Sequence, residues 1–188
     1  MNGSSVFLID RETNTDNASI AYDLNTESKL VNGNINAYWN HVEMQESRVS
    51  DGRGDSTELD VYGLSLNNIS EFNQLSLFYG LDGYSEDFET SRGGTNRPAP
   101  PKATTDVWGT YLNANIEVQD NFQIELGARY DKFKTEAKNL NSKQDDDALS
   151  PSIAFIWQAN DAIEFILRHD QAFRAPSSEE LYLSLIHI

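Results

Sequence analysis

The chain has 188 residues, with 14 Lys+Arg against 30 Asp+Glu, so its formal net charge is −16. That balance argues against nucleic-acid binding, which needs a basic surface to meet phosphate. The longest unbroken apolar run, Ile153–Trp157, is far shorter than the roughly 20 residues of a transmembrane helix. The short apolar runs do not exclude transmembrane β-barrels, because barrel strands alternate apolar and polar residues. The lack of cysteine excludes disulfide scaffolds, thiolate metal sites and thiol catalysis.

Alternation of apolar and polar side chains with a period of two dominates the sequence and predicts β-strands with one apolar face. Ser4–Asp10 is a weaker candidate for a ninth strand. The other predicted strands are, in chain order, Asn17–Asn25, Val31–Asn40, Asp60–Asn67, Gln74–Gly83, Val107–Val118, Phe122–Lys134, Ser150–Gln158 and Ala162–Asp170. Helical spacing is confined to Ser177 and Glu180, which could cap one turn or lie in a loop.

The predicted connections alternate between short and long along the chain. The short turns are Thr26–Lys29, Asn68–Phe72, Gln119–Asn121 and Ala159–Asp161. The long polar connections are Gln45–Ser56, Ser85–Thr105 and Thr135–Leu149. Outer-membrane barrels have this layout, with short periplasmic turns and long outer loops. Strands of roughly 9–12 residues also favour a tilted membrane strand over a shorter globular one. A soluble β-sandwich would share the alternation of side chains but has no reason to lengthen every second loop.

The predicted fold class is therefore all-β: part of an antiparallel transmembrane β-barrel, with about nine strands of the 22 in plugged transporters. Met1–Ser5 does not form a signal peptide. We therefore expect an internal piece of a longer protein, with residues 1–182 forming the barrel part. The ending, 183–188, is similar to translated adapter sequence and is expected to be a non-native tail.

Three motifs follow one another between Phe122 and Tyr182. The first is the strand motif Gly127, Arg129, Tyr130 and Asp131; the second is Leu149-Ser-Pro151. The third combines Phe173, Arg174, Ala175 and Pro176 with Glu180, Leu181 and Tyr182. In order and spacing they resemble the "GxRYD", "SP" and FRAP-box motifs of the TonB-dependent outer-membrane receptors. The resemblance implies an integral protein of a Gram-negative outer membrane and active uptake of a ligand, with no enzymatic activity. Energy would come from TonB through a plug domain that this chain lacks.

The resemblance also suggests a cargo. The FRAP box is prominent in haem and haemoglobin receptors, and Arg97–Lys102 resembles an "RPxxP" element of the same receptors. The implied ligand is haem, free or from a host haem protein, carried as cargo with no resident cofactor. The chain departs from the pattern because it ends before the histidine and "NPNL" box that follow in haem receptors. A siderophore or vitamin B12 receptor is an alternative, and a passive porin-type barrel is another.

Individual residues add little beyond the motifs. His41 and His169 share the parity of the apolar stripe and are weak candidates for haem ligands, since haem iron takes His. The alternative is that each is an interface histidine facing lipid headgroups. The sequence shows no nucleophile elbow, HExxH, Walker loop or glycine fingerprint, so we predict no catalytic residue. The acidic loops fit no EF-hand, and we predict no metal site. Outer-membrane lipid is the other expected partner, and nucleic acid is not.

Overall fold

The structure, a computed structural model, describes residues 8–97, 99–138 and 142–173. They form one sheet of eight antiparallel strands, each paired with the next along the chain. The strands are β1 (Ile9–Asn25), β2 (Asn32–Arg48), β3 (Gly54–Glu71), β4 (Leu75–Arg92), β5 (Ala103–Gln119), β6 (Phe122–Ala137), β7 (Ser142–Asn160) and β8 (Ile163–Asp170). The predicted all-β antiparallel class is confirmed. The weak ninth strand falls partly outside the described residues, and its last two positions begin β1. Across the described ranges, no helix is long and apolar enough to cross a membrane.

The strand register aligns the apolar positions of neighbouring strands. One row of paired residues runs through Tyr22, Ile35, Leu66, Leu81, Thr110, Tyr130 and Leu149. Because side chains alternate between faces along each strand, this row and its equivalents form one continuous apolar band on one side of the sheet. We call this side the belt face, and the other the opposite face. The parity that the sequence predicted for each strand therefore holds across the whole sheet.

Little of the sheet is covered by other protein. Among the described residues the buried apolar side chains are small: Ala103, Val107, Ala137 and Ala154. Large apolar side chains of the belt face are exposed instead, also on inner strands, with Trp108 on β5 55% exposed and Tyr62 on β3 54% exposed. A contiguous apolar surface of this size is not tolerated in water. The belt face therefore needs an apolar solvent, which a lipid bilayer supplies.

The apolar band drifts across the register from β1 to β8. One row of paired residues begins at the edge of the apolar band in β1 and is polar from β4 onwards. Its members are Ala18, Trp39, Tyr62, Ser85, Asp106, Lys134 and Asp145. In a flat sheet with upright strands, the band would follow one row throughout. Strands that tilt against a membrane produce such a stagger, as closure of a barrel requires.

The strands are longer than the sequence predicted. β1 to β7 have 16–19 residues each, and they extend into all three of the segments predicted as long polar connections. The connections at that end, which we call the loop end, shrink to 49–53, 93–102 and 138–141. At the other end, the turn end, the connections are 26–31, 72–74, 120–121 and 161–162. The prediction of long loops was wrong because the strands continue beyond the apolar band.

The amphipathic pattern inverts in these extensions. Beyond the band, the belt face becomes charged and the opposite face becomes apolar. The apolar residues of the opposite face there are Val42, Met44, Leu59, Val61, Phe88, Val107 and Phe133. Their counterparts on the belt face are His41, Glu43, Glu58, Asp60, Asp87, Asp106 and Lys134. The sheet therefore passes from an apolar to an aqueous surrounding along each strand.

Candidate functional site

The opposite face carries a charge network in the middle of the sheet. Arg129 on β6 donates to both carboxylate oxygens of Asp82 on β4, at 2.7 and 2.9 Å. Its Nε donates to Asp131 at 2.8 Å, and the guanidinium carbon lies 5.7 Å from the centre of the Tyr111 ring. Bidentate pairing with a carboxylate fixes both groups in one geometry. The network therefore holds three strands together on the polar side of the wall.

The GxRYD-like motif divides between the two faces. Arg129 and Asp131 lie on the opposite face, and Tyr130 lies on the belt face with 43% of its surface exposed. Gly127 leaves room for neighbouring strands, because a Cβ there would overlap the Ser152 side chain. The motif thus combines a lipid-facing aromatic with a polar pair. Its functional role stays a prediction.

Glycine on the strand between makes the network possible. Gly109 on β5 lies beneath Arg129 and Asp131, and an added Cβ would overlap both side chains. Gly80 accommodates the Tyr111 hydroxyl in the same way. A second pair, from Arg168 to Glu125 at 2.6 Å, lies on the same face. The opposite face in this part of the sheet is a polar wall braced by ion pairs between strands.

At the loop end the opposite face forms a groove of about 330 Å³. Met44, Phe88 and Pro100 supply apolar surface, and Arg11 and Arg92 supply cations. Arg11 forms an ion pair with Glu46. Within the described ranges, the Arg92 side chain forms no hydrogen bond or ion pair, but its charge acts on the Asp55 carboxylate, which also lines the groove. Because Glu46 and Asp55 also line it, the groove offers an apolar floor flanked by charges of both signs.

The connection 93–102 folds against this groove and is held by the ion pairs of Arg97 with Asp55 and of Lys102 with Glu89. Arg97 donates to both oxygens of Asp55, at 2.8 and 2.6 Å, and to the carbonyl of Gly93 at 3.0 Å. Both charged groups lie beyond the apolar band. The hydrogen bond from Arg97 holds the pKa of the Asp55 carboxyl below its usual value. Pro100 is buried, so the connection covers part of the apolar surface of the opposite face.

Both candidate histidines lie on the belt face, as their parity predicted. His41 Nδ1 lies 3.0 Å from Asp60 Oδ1, and His169 pairs with Ile153 across the β7–β8 ladder. The structure does not bring the two histidines together. A role as haem ligand stays a prediction for both.

The FRAP box follows β8 directly, as predicted, but only its first residue is described. The Phe173 ring packs 5.6 Å from the Phe133 ring on the opposite face. The rest of the box lies outside the described residues: Arg174, Ala175, Pro176, Glu180, Leu181 and Tyr182. The predicted tail, 183–188, lies outside them as well.

Sequence reasoning missed the partners of the motif residues and the groove. Asp82 is 47 positions from Arg129, and no local pattern connects them. The groove draws on β1, β2, β3, β4 and a connection, which only the register brings together. A signal did exist for its apolar surface, because Val42 and Met44 alternate with charged residues in β2.

These features together define a segment of a transmembrane β-barrel: tilted antiparallel strands, an apolar belt that meets lipid and a polar wall on the other side. The comparisons with known proteins identify which barrel. The family model "TonB dependent receptor-like, beta-barrel" matches residues 2–185. The chain belongs to the TonB-dependent receptor family, a family of receptors and transporters rather than enzymes.

The relatives are all much longer than this chain. The chain is 30% identical over 191 aligned residues to "Heme/hemopexin utilization protein C" of Haemophilus influenzae, covering 98% of this chain and 26% of that protein. The same protein of strain 86-028NP is 29% identical, with 27% of it covered. The chain thus spans about a quarter of the length of these relatives.

Solved structures share the fold. The FrpB iron transporter of Neisseria meningitidis (F3-3 variant) superposes with a TM-score of 0.75 at 22% identity, covering 88% of this chain and 28% of that one. The copper transporter OprC superposes with a TM-score of 0.72 at 10% identity, covering 81% and 29%. At these identities the likeness concerns the fold alone.

Proposed function

We propose that this chain forms part of the wall of an outer-membrane receptor that imports haem, free or taken from a haem protein. Transport would be driven by TonB through a plug domain, as the resemblance to the receptor family implies. The observation that carries the proposal is the alignment with a haem/hemopexin utilization protein along 98% of the chain. The belt face would contact the lipid, and the opposite face would line the route of the ligand.

The groove at the loop end supports haem as the cargo. Haem is a flat apolar ring that carries propionate carboxylates. Met44, Phe88 and Pro100 would pack against the ring, and Arg11 and Arg92 would pair with the carboxylates. Guanidinium groups suit this task because they match the geometry of a carboxylate. The groove would then be an early contact at the outer mouth of the receptor.

Haem titration of the full-length receptor in detergent tests this role of the groove. A double variant, Arg11→Ala with Arg92→Ala, should raise the Kd for haem at least about tenfold, because each charge-assisted hydrogen bond contributes about 1.5–3 kcal/mol. Arg168→Ala is the matched control, since Arg168 lies on the same face but outside the groove. An unchanged Kd in the double variant would remove the groove from the ligand site.

Growth on haem as sole iron source tests the function itself. A strain that lacks other haem receptors should grow only when it has both the full-length receptor and TonB. Growth on a ferric siderophore but not on haem would replace the cargo and favour a siderophore receptor. Uptake that does not need TonB would instead indicate a passive barrel.

A further inference from the structure

The belt face carries a cluster of nitrogen and oxygen ligands one row beyond the apolar band, at the loop end. His41 on β2 and Asp60 on β3 are directly opposite each other. One ligand atom each from His41, Glu58 and Asp60 lie within 4.8 Å of one another. Trp39, at the rim of the band, donates its Nε1–H to Asp60 at 3.2 Å and stacks on His41 with 6.1 Å between ring centres. The aromatic ring therefore limits the positions that both side chains can take.

The protein balances the carboxylates of this cluster only in part, through the contact of His41 Nδ1 with Asp60 Oδ1 at 3.0 Å. Glu58 is directly opposite Glu43 on one side, and Asp60 is directly opposite Asp87 on the other. Like charges that face each other across a strand pair destabilise the sheet. In the part of the chain that the structure describes, neither Glu58 nor Asp60 forms an ion pair with a lysine or arginine. A bound cation would offset this repulsion.

We propose that His41, Glu58 and Asp60 bind a divalent first-row transition-metal ion on the lipid-facing side of the receptor, where the apolar band gives way to the headgroup layer. One imidazole with carboxylates suits zinc and its neighbours better than calcium or magnesium, which prefer oxygen ligands alone. Three protein ligands leave a coordination position open to water. The sequence predicted no metal site because the ligands come from two strands and meet only through the register.

Zinc titration by calorimetry of the full-length receptor in detergent, at pH 8 without chelating buffer, tests the site. Metal binding requires a deprotonated imidazole, so a basic pH favours it. His41→Gln and Asp60→Asn should each weaken the binding of one zinc equivalent by at least about tenfold, because even outer-shell changes cost about 10–100-fold. His169→Gln is the control, since His169 is on the same face but opposite Ile153 rather than a carboxylate. Circular dichroism of each variant checks that the strands are intact.

A second readout comes from the tryptophan beside the site. Nickel ions should quench the fluorescence of Trp39 at the same concentrations that compete with zinc, and Trp39→Phe should remove this component. The proposal is overturned if the wild type shows no saturable zinc binding in the micromolar range. It is also overturned if both ligand variants bind zinc as well as the wild type, or if His169→Gln loses as much affinity as they do.

Discussion

A charge placed in the apolar band should cost far more stability than the same charge placed farther along the same strand and face. Ile35 and Gln45 both project from the belt face of β2, but only Ile35 lies within the band. It is 45% exposed and is directly opposite Tyr22 and Leu66. Gln45 is opposite Ser56, beyond the band. Because a bilayer core cannot solvate a guanidinium group, Ile35→Arg should lower the free energy of unfolding by about 2–4 kcal/mol, and Gln45→Arg by about 0–1 kcal/mol.

The difference is large enough to measure. It corresponds to a change of roughly 30- to 1,000-fold in the folding equilibrium constant for Ile35→Arg. The assay is guanidinium unfolding of the full-length receptor in phospholipid vesicles, followed by tryptophan fluorescence. Equal costs for the two arginines would refute the assignment of the belt face to hydrocarbon, since both substitutions remove a side chain of the same strand and face.

Three further predictions concern the opposite face and the loop end. Asp82→Asn breaks half of the bidentate pair with Arg129, which keeps its contact with the carboxylate of Asp131. Thermal unfolding should show a free energy of unfolding lower by about 1–2 kcal/mol, a value already reduced for the partial exposure of the pair. An unchanged midpoint would contradict this. Gly63→Ala places a methyl against the Tyr38 ring and should lower the free energy of unfolding by about 1–3 kcal/mol. In a double-mutant cycle Tyr38→Ala should relieve this cost, and additive costs would show that the two sites are independent. The pKa of Asp55 is lowered in the folded state, so its contribution is full above the unfolded pKa of about 4 and is lost as the pH falls through the lower folded value. Limited proteolysis of the connection 93–102 should therefore speed up below about pH 4 in the wild type, and a pH-independent rate would contradict the pairing.

The sequence predicted the faces of the strands well, because parity is a local property. Every strand within the band shows apolar residues at alternate positions, and the structure keeps them on one side. Antiparallel order also followed from the short turns, which leave no room for crossover connections. The alternation within β6 predicts that the charges of Arg129 and Asp131 both lie on the polar side, without any knowledge of the strand register.

The ends of the strands could not be predicted in the same way. In β2 the apolar positions shift from Trp39 on the belt face to Val42 and Met44 on the opposite face. In the sequence this shift is a break in the alternation, so a single apolar stripe predicts loops for the charged residues beyond it. The strand itself continues, because its backbone pairing does not depend on which face is apolar. The solvent outside the sheet changes along the strand, and the pattern changes with it.

Contacts between distant strands were also beyond the sequence. The pair between Arg129 and Asp82 and the cluster at His41 depend on register and stagger. Neither is specified by any one strand. A single-residue slip in pairing would move Asp82 to the belt face and break its pair with Arg129. Glycine at 80 and 109 shows how closely the register is matched to the side chains, since only a missing Cβ lets the ring of Tyr111 and the head of Arg129 lie flat on the neighbouring strands.

The drift of the band and the inversion beyond it have one physical cause. A strand that crosses a bilayer at a tilt meets lipid over a limited length and water after it. Its outward side must then change from apolar to charged, as it does between Trp39 and Glu43 in β2. The inward side, no longer needed as the wall of a hydrated lumen, is free to become apolar and to pack against a connection such as 93–102 or against a ligand. The apolar floor of the groove thus lies beyond the apolar band, where the outward side of the strands is charged and the surrounding is aqueous.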